Sequence, residues 1–189
     1  PDVIRNLNPD TTILATGSRP LLPEIEGLRQ IRWTHASEIL EKRMQIGRKI
    51  VIIGGGGVGL ETADFLANRG MKVTVIEQLT EVGRDLEGST KKVLMGRLAK
   101  NGIKIITGAI IDKIVRGKIF IQWDGGKREI VFDEPLVIAI GVEPNRELYH
   151  SMKKIEKFKN LDIHAIGDAI SPRQLREAIS EAYTISKNL

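Results

Sequence analysis

The stretch Lys49–Gly70, "KIVIIGGGGVGLETADFLANRG", decides how this chain is read. A short apolar run meets four consecutive glycines, Gly54 to Gly57, and then a helical pattern. Gly54, Gly56 and Gly59 have the spacing GxGxxG, which is weak by itself in a chain with 19 glycines. Its context makes it specific. The first glycine takes the tight turn after a strand, the second lets a pyrophosphate approach the backbone, and the third lets the helix pack on the strand. The helix N-terminus then offers N–H groups and a positive dipole end to the phosphates. The pattern predicts a strand over 49–53, a helix over about 58–69 and a second strand over 72–77, "KVTVIE", which together make a βαβ unit. Glu77 closes that second strand about 20 residues after the glycines, where a carboxylate accepts the hydroxyls of an adenosine ribose. The cradle is therefore expected at Gly54, Gly55, Gly56, Gly57, Val58 and Gly59, with Glu77 and its neighbour Gln78. A structural glycine turn beside a surface Glu is the plainer reading, but it leaves the agreement of strand, turn, helix, strand and acid unexplained.

Glu77 also bears on which dinucleotide binds. A 2′-phosphate beside it is repelled, and NADP sites usually place an Arg at or near this position. Here Gln78, Leu79 and Thr80 follow, and Arg84 is the nearest cation, several residues on. NAD(H) is favoured over NADP(H). Glu61 is expected in the first turn of the helix. Two roles are open to it: compensating the helix dipole, or facing the nicotinamide or a flavin.

The rest of the sequence bounds the class. The 189 residues, 41% of them hydrophobic, suffice for one large domain or two small ones with a real core. No apolar stretch reaches membrane-spanning length and no signal-peptide pattern is present, so a cytoplasmic protein is expected. Cysteine is absent, which excludes a disulfide, a redox dithiol and cysteine-bound metal within these residues. The net charge of +5 comes from dispersed residues; even the densest cluster, "KKIEKFK" at Lys153–Lys159, contains a Glu. With 4% aromatics, neither a nucleic acid nor a membrane is expected as a partner. The histidines His35, His150 and His164 lack metal-ligand spacing, so no metal site is expected, and His164 reads as a packed core residue. Trp33 and Trp123 read as packing residues.

Around the βαβ unit, "TTILATGS" (Thr11–Ser18) reads as a strand ending in a glycine turn, "RPLLPEIEGL" as an extended connector and "THASEILEKR" as a short helix. A helix from Ser89 or Thr90 to Lys100 stops at Gly102, and "IKIIT" is a strand. From Ala109 the apolar period becomes two. "AIIDKIV", "KIFIQW" and "REIVFD", separated by Arg116-Gly117 and Asp124-Gly125-Gly126, predict an antiparallel meander. "PLVIAIG" at 135–141 reads as a strand buried on both faces, and "LDIHAIGD" as another strand. "SPRQ" reads as a capping box at the start of the last helix, with Ser171 at the N-cap and Gln174 at N3.

Several of these segments together resemble the C-terminal reductase module of the NADH:flavin oxidoreductases of the 2,4-dienoyl-CoA reductase and 2-enoate reductase type, which are linked to an old-yellow-enzyme barrel. They are "PDTTILATGSRPLLPEIEGL", "KIVIIGGGGVGLETADFLANRG", "VTVIEQLTEVGRDL", "IAIGVEPNREL" and "AIGDAISPRQLREAISEAY", nearly the whole chain in the family's order. The resemblance implies an α/β, Rossmann-like FAD/NAD(P)-binding fold, a three-layer ββα arrangement with an antiparallel β-meander, inserted between parts of a second, incomplete nucleotide-binding domain. Residues 47–142 would be the NAD(H) domain, with 1–46 and 143–189 as parts of the FAD-type domain. It also implies that Ala139, Ile140 and Gly141 border the NAD site, that Ala15, Thr16 and Gly17 lie on the FAD side, and that Gly167-Asp168 places a carboxylate on the flavin's ribityl or pyrophosphate portion.

The family's first GxGxxG unit and its barrel are not among these residues. The chain is therefore expected to be part of a larger enzyme, inactive alone and partnered by an upstream flavin or barrel domain or by another subunit. NADH would bind here and pass hydride to FAD in the complete protein. The alternative is a non-catalytic domain that holds ADP or NAD structurally. A dithiol disulfide reductase shares the fold but requires cysteines that this sequence lacks.

Overall fold

The computed structural model describes residues 1–41 and 46–189; the end of the helix expected at 34–43 lies outside them. The chain divides into two units, Leu22–Gly141 and the paired segments Pro1–Leu21 and Val142–Leu189. The first boundary falls well before the expected 46, because residues 22–41 pack into the larger unit. The second falls at Gly141, next to the expected 142.

In chain order, α1 (Asp2–Leu7), β1 (Thr11–Leu14) and β2 (Ser18–Pro20) open the smaller unit. The larger unit holds β3 (Trp33–His35), α2 (Ala36–Glu41), β4 (Lys49–Ile53), α3 (Gly57–Ala67), β5 (Lys72–Ile76), α4 (Gly88–Lys100) and β6 (Lys104–Ile106). The meander β7 (Ile110–Val115), β8 (Lys118–Trp123) and β9 (Gly126–Val131) follows, and β10 (Leu136–Ile138) closes the unit. The chain then returns to the smaller unit through β11 (Val142–Pro144), α5 (Glu147–Lys153), β12 (Asp162–Ala165) and α6 (Leu175–Ser186).

The larger unit is built on a five-stranded parallel sheet in the order β3-β10-β4-β5-β6. Strand β4 is apolar on both faces because both are covered. Its Ile50 and Ile52 face a core shared with Ala36 and Ile39 of α2, Leu60, Ala63 and Leu66 of α3, and Leu94 and Leu98 of α4. Its Val51 and Ile53 face a second core with Ile114, Ile119 and Ile121 of the meander. Each such side chain, fully buried, contributes about 1.5–3 kcal/mol. Helices, parallel sheet and meander thus form the three layers expected. In the meander, Ile119 and Ile121 are buried, Phe120 between them is half-buried and the flanking Lys118 and Gln122 are exposed, the alternation of a half-buried strand. Its β8–β9 hairpin turns on Asp124 and Gly125 alone, both with positive φ (50° and 70°), as a type I′ turn requires. Gly126 already belongs to β9.

The smaller unit pairs β1 with β12 in parallel and β2 with β11 antiparallel. Its core is small: Leu14, Met152, Phe158 and Ile163, with Ile4, Leu148 and Tyr149 packed against them. Helix α6 buries no residue and exposes Leu175, Ile179 and Tyr183, at 75%, 60% and 62%, along one stripe. Two expectations are corrected here. The last helix begins at Leu175 with Gln174 at its N-cap, so Ser171 caps nothing. Residues 171–174 stay outside the helix, tied instead by the Arg173 N–H on Asp168 and by the Arg173 side chain, which donates to the Ser171 carbonyl and to Glu181. His164 is not a core residue: its ring is half-exposed and its Nε2 lies 2.7 Å from the Asp162 carboxylate. Trp33 and Trp123 do pack into the larger unit's second core. No described helix is long and apolar enough to cross a membrane.

Candidate functional site

The glycine turn stands at the carboxyl ends of β4 and β10, on either side of the point where the strand order reverses. From β4 the chain runs to β5 and β6 on one side; β10 lies on the other. Open parallel sheets bind ligands at such a switch point. Ile53 accepts the Ala139 N–H (2.8 Å), and Gly54 donates to Ile76 (2.9 Å), so the turn hangs on both neighbouring strands.

The glycines divide by role. Gly54 has φ +109°, and a Cβ there would stand 2.2 Å from the Ala139 carbonyl oxygen. A Cβ on Gly59 would stand 2.1 Å from the Gly54 carbonyl oxygen, so only glycine lets α3 close onto the turn. Gly56 is different. Its backbone is ordinary (φ −71°, ψ 178°), and its Cβ would have nothing closer than the Asp85 carboxylate at 3.6 Å. A Cβ on Gly56 would thus clash with nothing and meet only the Asp85 carboxylate, in ordinary contact, and its absence leaves room for an approaching pyrophosphate. Gly55 and Gly57 lack such room: their Cβ atoms would meet Val82 at 2.5 Å and Leu86 at 2.8 Å. Val58 is exposed at the first turn of α3.

Glu77 follows directly on β5 and is half-buried against this turn. One carboxylate oxygen accepts the Gly55 N–H at 2.6 Å; the other accepts the Leu79 N–H at 2.8 Å. These two bonds fix the carboxylate beside the cradle, and a carboxylate has lone-pair sites left for ribose hydroxyls. Gln78 is exposed beside it. Ala139 abuts Gly54, and Ile140 and Gly141 follow at the exposed end of β10. Glu61 is corrected: α3 begins at Gly57 and its first turn holds no acid, so the exposed Glu61 lies one turn too late to cap the dipole.

The sequence reading missed the loop between β5 and α4. It folds back over the glycines: Gly83 donates its N–H to the Gly55 carbonyl (2.7 Å), and Val82 is buried. Asp85 accepts the Gly57 N–H with both oxygens, at 2.9 and 3.0 Å. Glu81, held below the usual carboxylate range by its bond to Lys91, ties the loop to α4. The loop has no apolar period, and only its glycine hinted at a return.

In the smaller unit the expected flavin-side residues also meet. Thr16 Oγ1 donates to the Asn145 carbonyl (2.6 Å), and the Asn145 N–H donates to Gly17 (3.0 Å). Ser18, just after the Ala15–Gly17 turn, donates to Asp168 (3.2 Å). Gly167, with φ +61°, donates its N–H to Glu181 at 2.7 Å, a partner that sequence spacing did not suggest. That bond, with the Arg173 guanidinium beside it, holds the Glu181 carboxyl below the usual range. A depressed folded pKa stabilises the unit above the ordinary glutamate range, and the contribution is lost as pH falls through the depressed value. Glu181→Gln is thus expected to flatten the acid side of the stability profile. A carboxyl-resolved NMR titration checks the cause; a Glu181 that titrates at or above an ordinary glutamate refutes it.

A family model described as "Pyridine nucleotide-disulphide oxidoreductase" matches residues 4–182. The chain is 32% identical over 189 residues to the NADH oxidase of Thermoanaerobacter brockii, covering 98% of this chain and 29% of that protein. It is 31% identical to the cinnamate reductase of Clostridium sporogenes, covering 98% and 27%. Among solved structures, a 2-naphthoyl-CoA reductase complex superimposes with a TM-score of 0.84 at 30% identity, over 96% of this chain and 27% of that one. The chain thus spans under a third of the length of each of these proteins.

Proposed function

The chain belongs to the pyridine nucleotide-disulphide oxidoreductase family, and we propose that its larger unit is the NAD(H)-binding electron-input module of a cytoplasmic flavin oxidoreductase of the 2,4-dienoyl-CoA reductase and 2-enoate reductase type. The observation that carries this is the pairing of the unclashed room that Gly56 leaves, bordered by a carboxylate side chain, with the Glu77 carboxylate fixed on the same turn. One group admits a pyrophosphate and the other receives a ribose. The likeness to a 2-naphthoyl-CoA reductase and a cinnamate reductase supports the enoate-type reading over a disulfide reductase.

When bound, NADH supplies a hydride, and FAD in the complete protein accepts it. The chain's own residues bind and orient. Gly54–Gly59 and the N-terminal end of α3 take the phosphates, Glu77 takes the adenosine ribose, and Ala139, Ile140 and Gly141 border the site. In the smaller unit, Ala15–Gly17 and Gly167-Asp168 meet FAD. The exposed stripe on α6 is consistent with a unit completed by further parts of a FAD-type domain and by the barrel.

The 189-residue chain alone is expected to bind NADH but to retain no FAD and oxidise no NADH. Its GxGxxG lies in the larger unit, so the FAD pyrophosphate has no glycine cradle in the smaller one. Each charge-assisted bond lost there costs about 1.5–3 kcal/mol. Flavin absorbance persisting through gel filtration of this chain would overturn that division of labour. In the full-length protein, NADH is expected to bleach the flavin absorbance anaerobically. NADH binding without bleaching would favour a structural nucleotide site.

A further inference from the structure

The end of α3 that faces the glycine turn is already occupied by an anion from the chain itself. Asp85 sets both carboxylate oxygens on the Gly57 N–H, at 2.9 and 3.0 Å. The same two oxygens lie 3.6 Å from where a Cβ on Gly56 would stand, so the carboxylate borders the opening that Gly56 leaves. A carboxylate and a phosphate seek the same partners here, the N–H groups and the positive end of the helix. One N–H cannot serve both fully. The loop is anchored ahead of Asp85, through Gly83 on Gly55 and through Glu81 on Lys91, yet Asp85 itself is exposed. Displacing its carboxylate breaks the bond to Gly57 and leaves those two anchors in place.

We propose that Asp85 is a resident competitor at the dinucleotide cradle: the pyrophosphate binds by displacing its carboxylate from Gly57. Asp85 thereby sets the affinity of the site below that of a bare cradle, which suits a module that must release oxidised dinucleotide. The inference rests on the reading of the larger unit as a dinucleotide site.

Calorimetric titrations of the wild-type chain, Asp85→Asn and Asp85→Ala with NADH, ADP and adenosine test it. NADH and ADP are expected to bind both variants about three- to tenfold more tightly, the fold-change that matches a carboxylate at a partly buried helix N-terminus. Adenosine, which has no phosphate, is expected to bind all three proteins equally. If wild type binds NADH and ADP and neither variant binds them more tightly, the inference fails and the site reading stands. If neither NADH nor ADP binds any of the three, both fail. An equal gain for adenosine also overturns the competition. A measurement on wild type alone needs no variant to fold: inorganic pyrophosphate should move the Gly57 amide and the Asp85 carboxyl NMR signals along one titration curve. Movement of Gly57 with a static Asp85 contradicts displacement.

Discussion

Gly54→Ala and Gly59→Ala are expected to unfold or severely destabilise the larger unit, whereas Gly56→Val leaves it folded and abolishes dinucleotide binding. The three positions belong to one motif, but the structure gives them different burdens. At Gly54 and Gly59 an added Cβ would lie 2.2 and 2.1 Å from backbone oxygens of Ala139 and Gly54. Those oxygens belong to the turn itself and to the end of β10, so relief requires moving the sheet against α3. Forcing extra volume into a packed core costs about 1–3 kcal/mol and more when backbone must move. At Gly54 the positive φ adds strain of about 1–3 kcal/mol. Against a net stability of about 5–15 kcal/mol, these are large losses. Gly56 has neither problem, since its φ is −71° and its Cβ would meet only the exposed Asp85 carboxylate, at an ordinary 3.6 Å. Valine there fills the space the phosphates need. Thermal unfolding followed by circular dichroism, with NADH titration of each folded variant, separates the two classes. A folded Gly56→Val that binds NADH like wild type would place the cradle elsewhere.

NADH is expected to bind more tightly than NADPH, and Glu77→Ala to weaken NADH binding tenfold or more while narrowing that gap. A hydrogen bond to a charged group contributes about 1.5–3 kcal/mol, which is a factor of ten or more in affinity. The carboxylate is not free to turn away from a 2′-phosphate, because the Gly55 and Leu79 N–H groups hold it (2.6 and 2.8 Å). Repulsion is therefore built in. Alanine also releases those two N–H groups and loosens the turn. Glu77→Gln is the sharper control: it keeps the shape, removes the charge and should narrow the gap with less loss of NADH affinity. Dissociation constants for both dinucleotides at fixed ionic strength decide the matter. Equal affinities in wild type, or a preference for NADPH, would remove Glu77 as the discriminating group.

What the sequence determined by itself was whatever rests on local rules. Strand β4, the tight turn at Gly54, the start of α3, the acid after β5 and a hairpin turn within Asp124-Gly125-Gly126 each follow from a few neighbouring residues. The all-apolar run of β10 told of burial on both faces, and β10 does lie between β3 and β4. The fold class followed from these pieces in order. Other features depend on partners far along the chain. Residues 22–41 belong with the larger unit because β3 pairs with β10, a contact with no local signal. The last helix starts at Leu175 and not at its capping-box serine because Asp168 takes the Arg173 N–H first. The acid at the end of α3 is Asp85, 28 residues from Gly57, and not the nearby Glu61. A loop without period carries no sequence mark of where it will return. Only the packing of Val82 and the bond from Gly83 to Gly55 bring its carboxylate onto the cradle, so the tertiary structure alone decided which charge sits there.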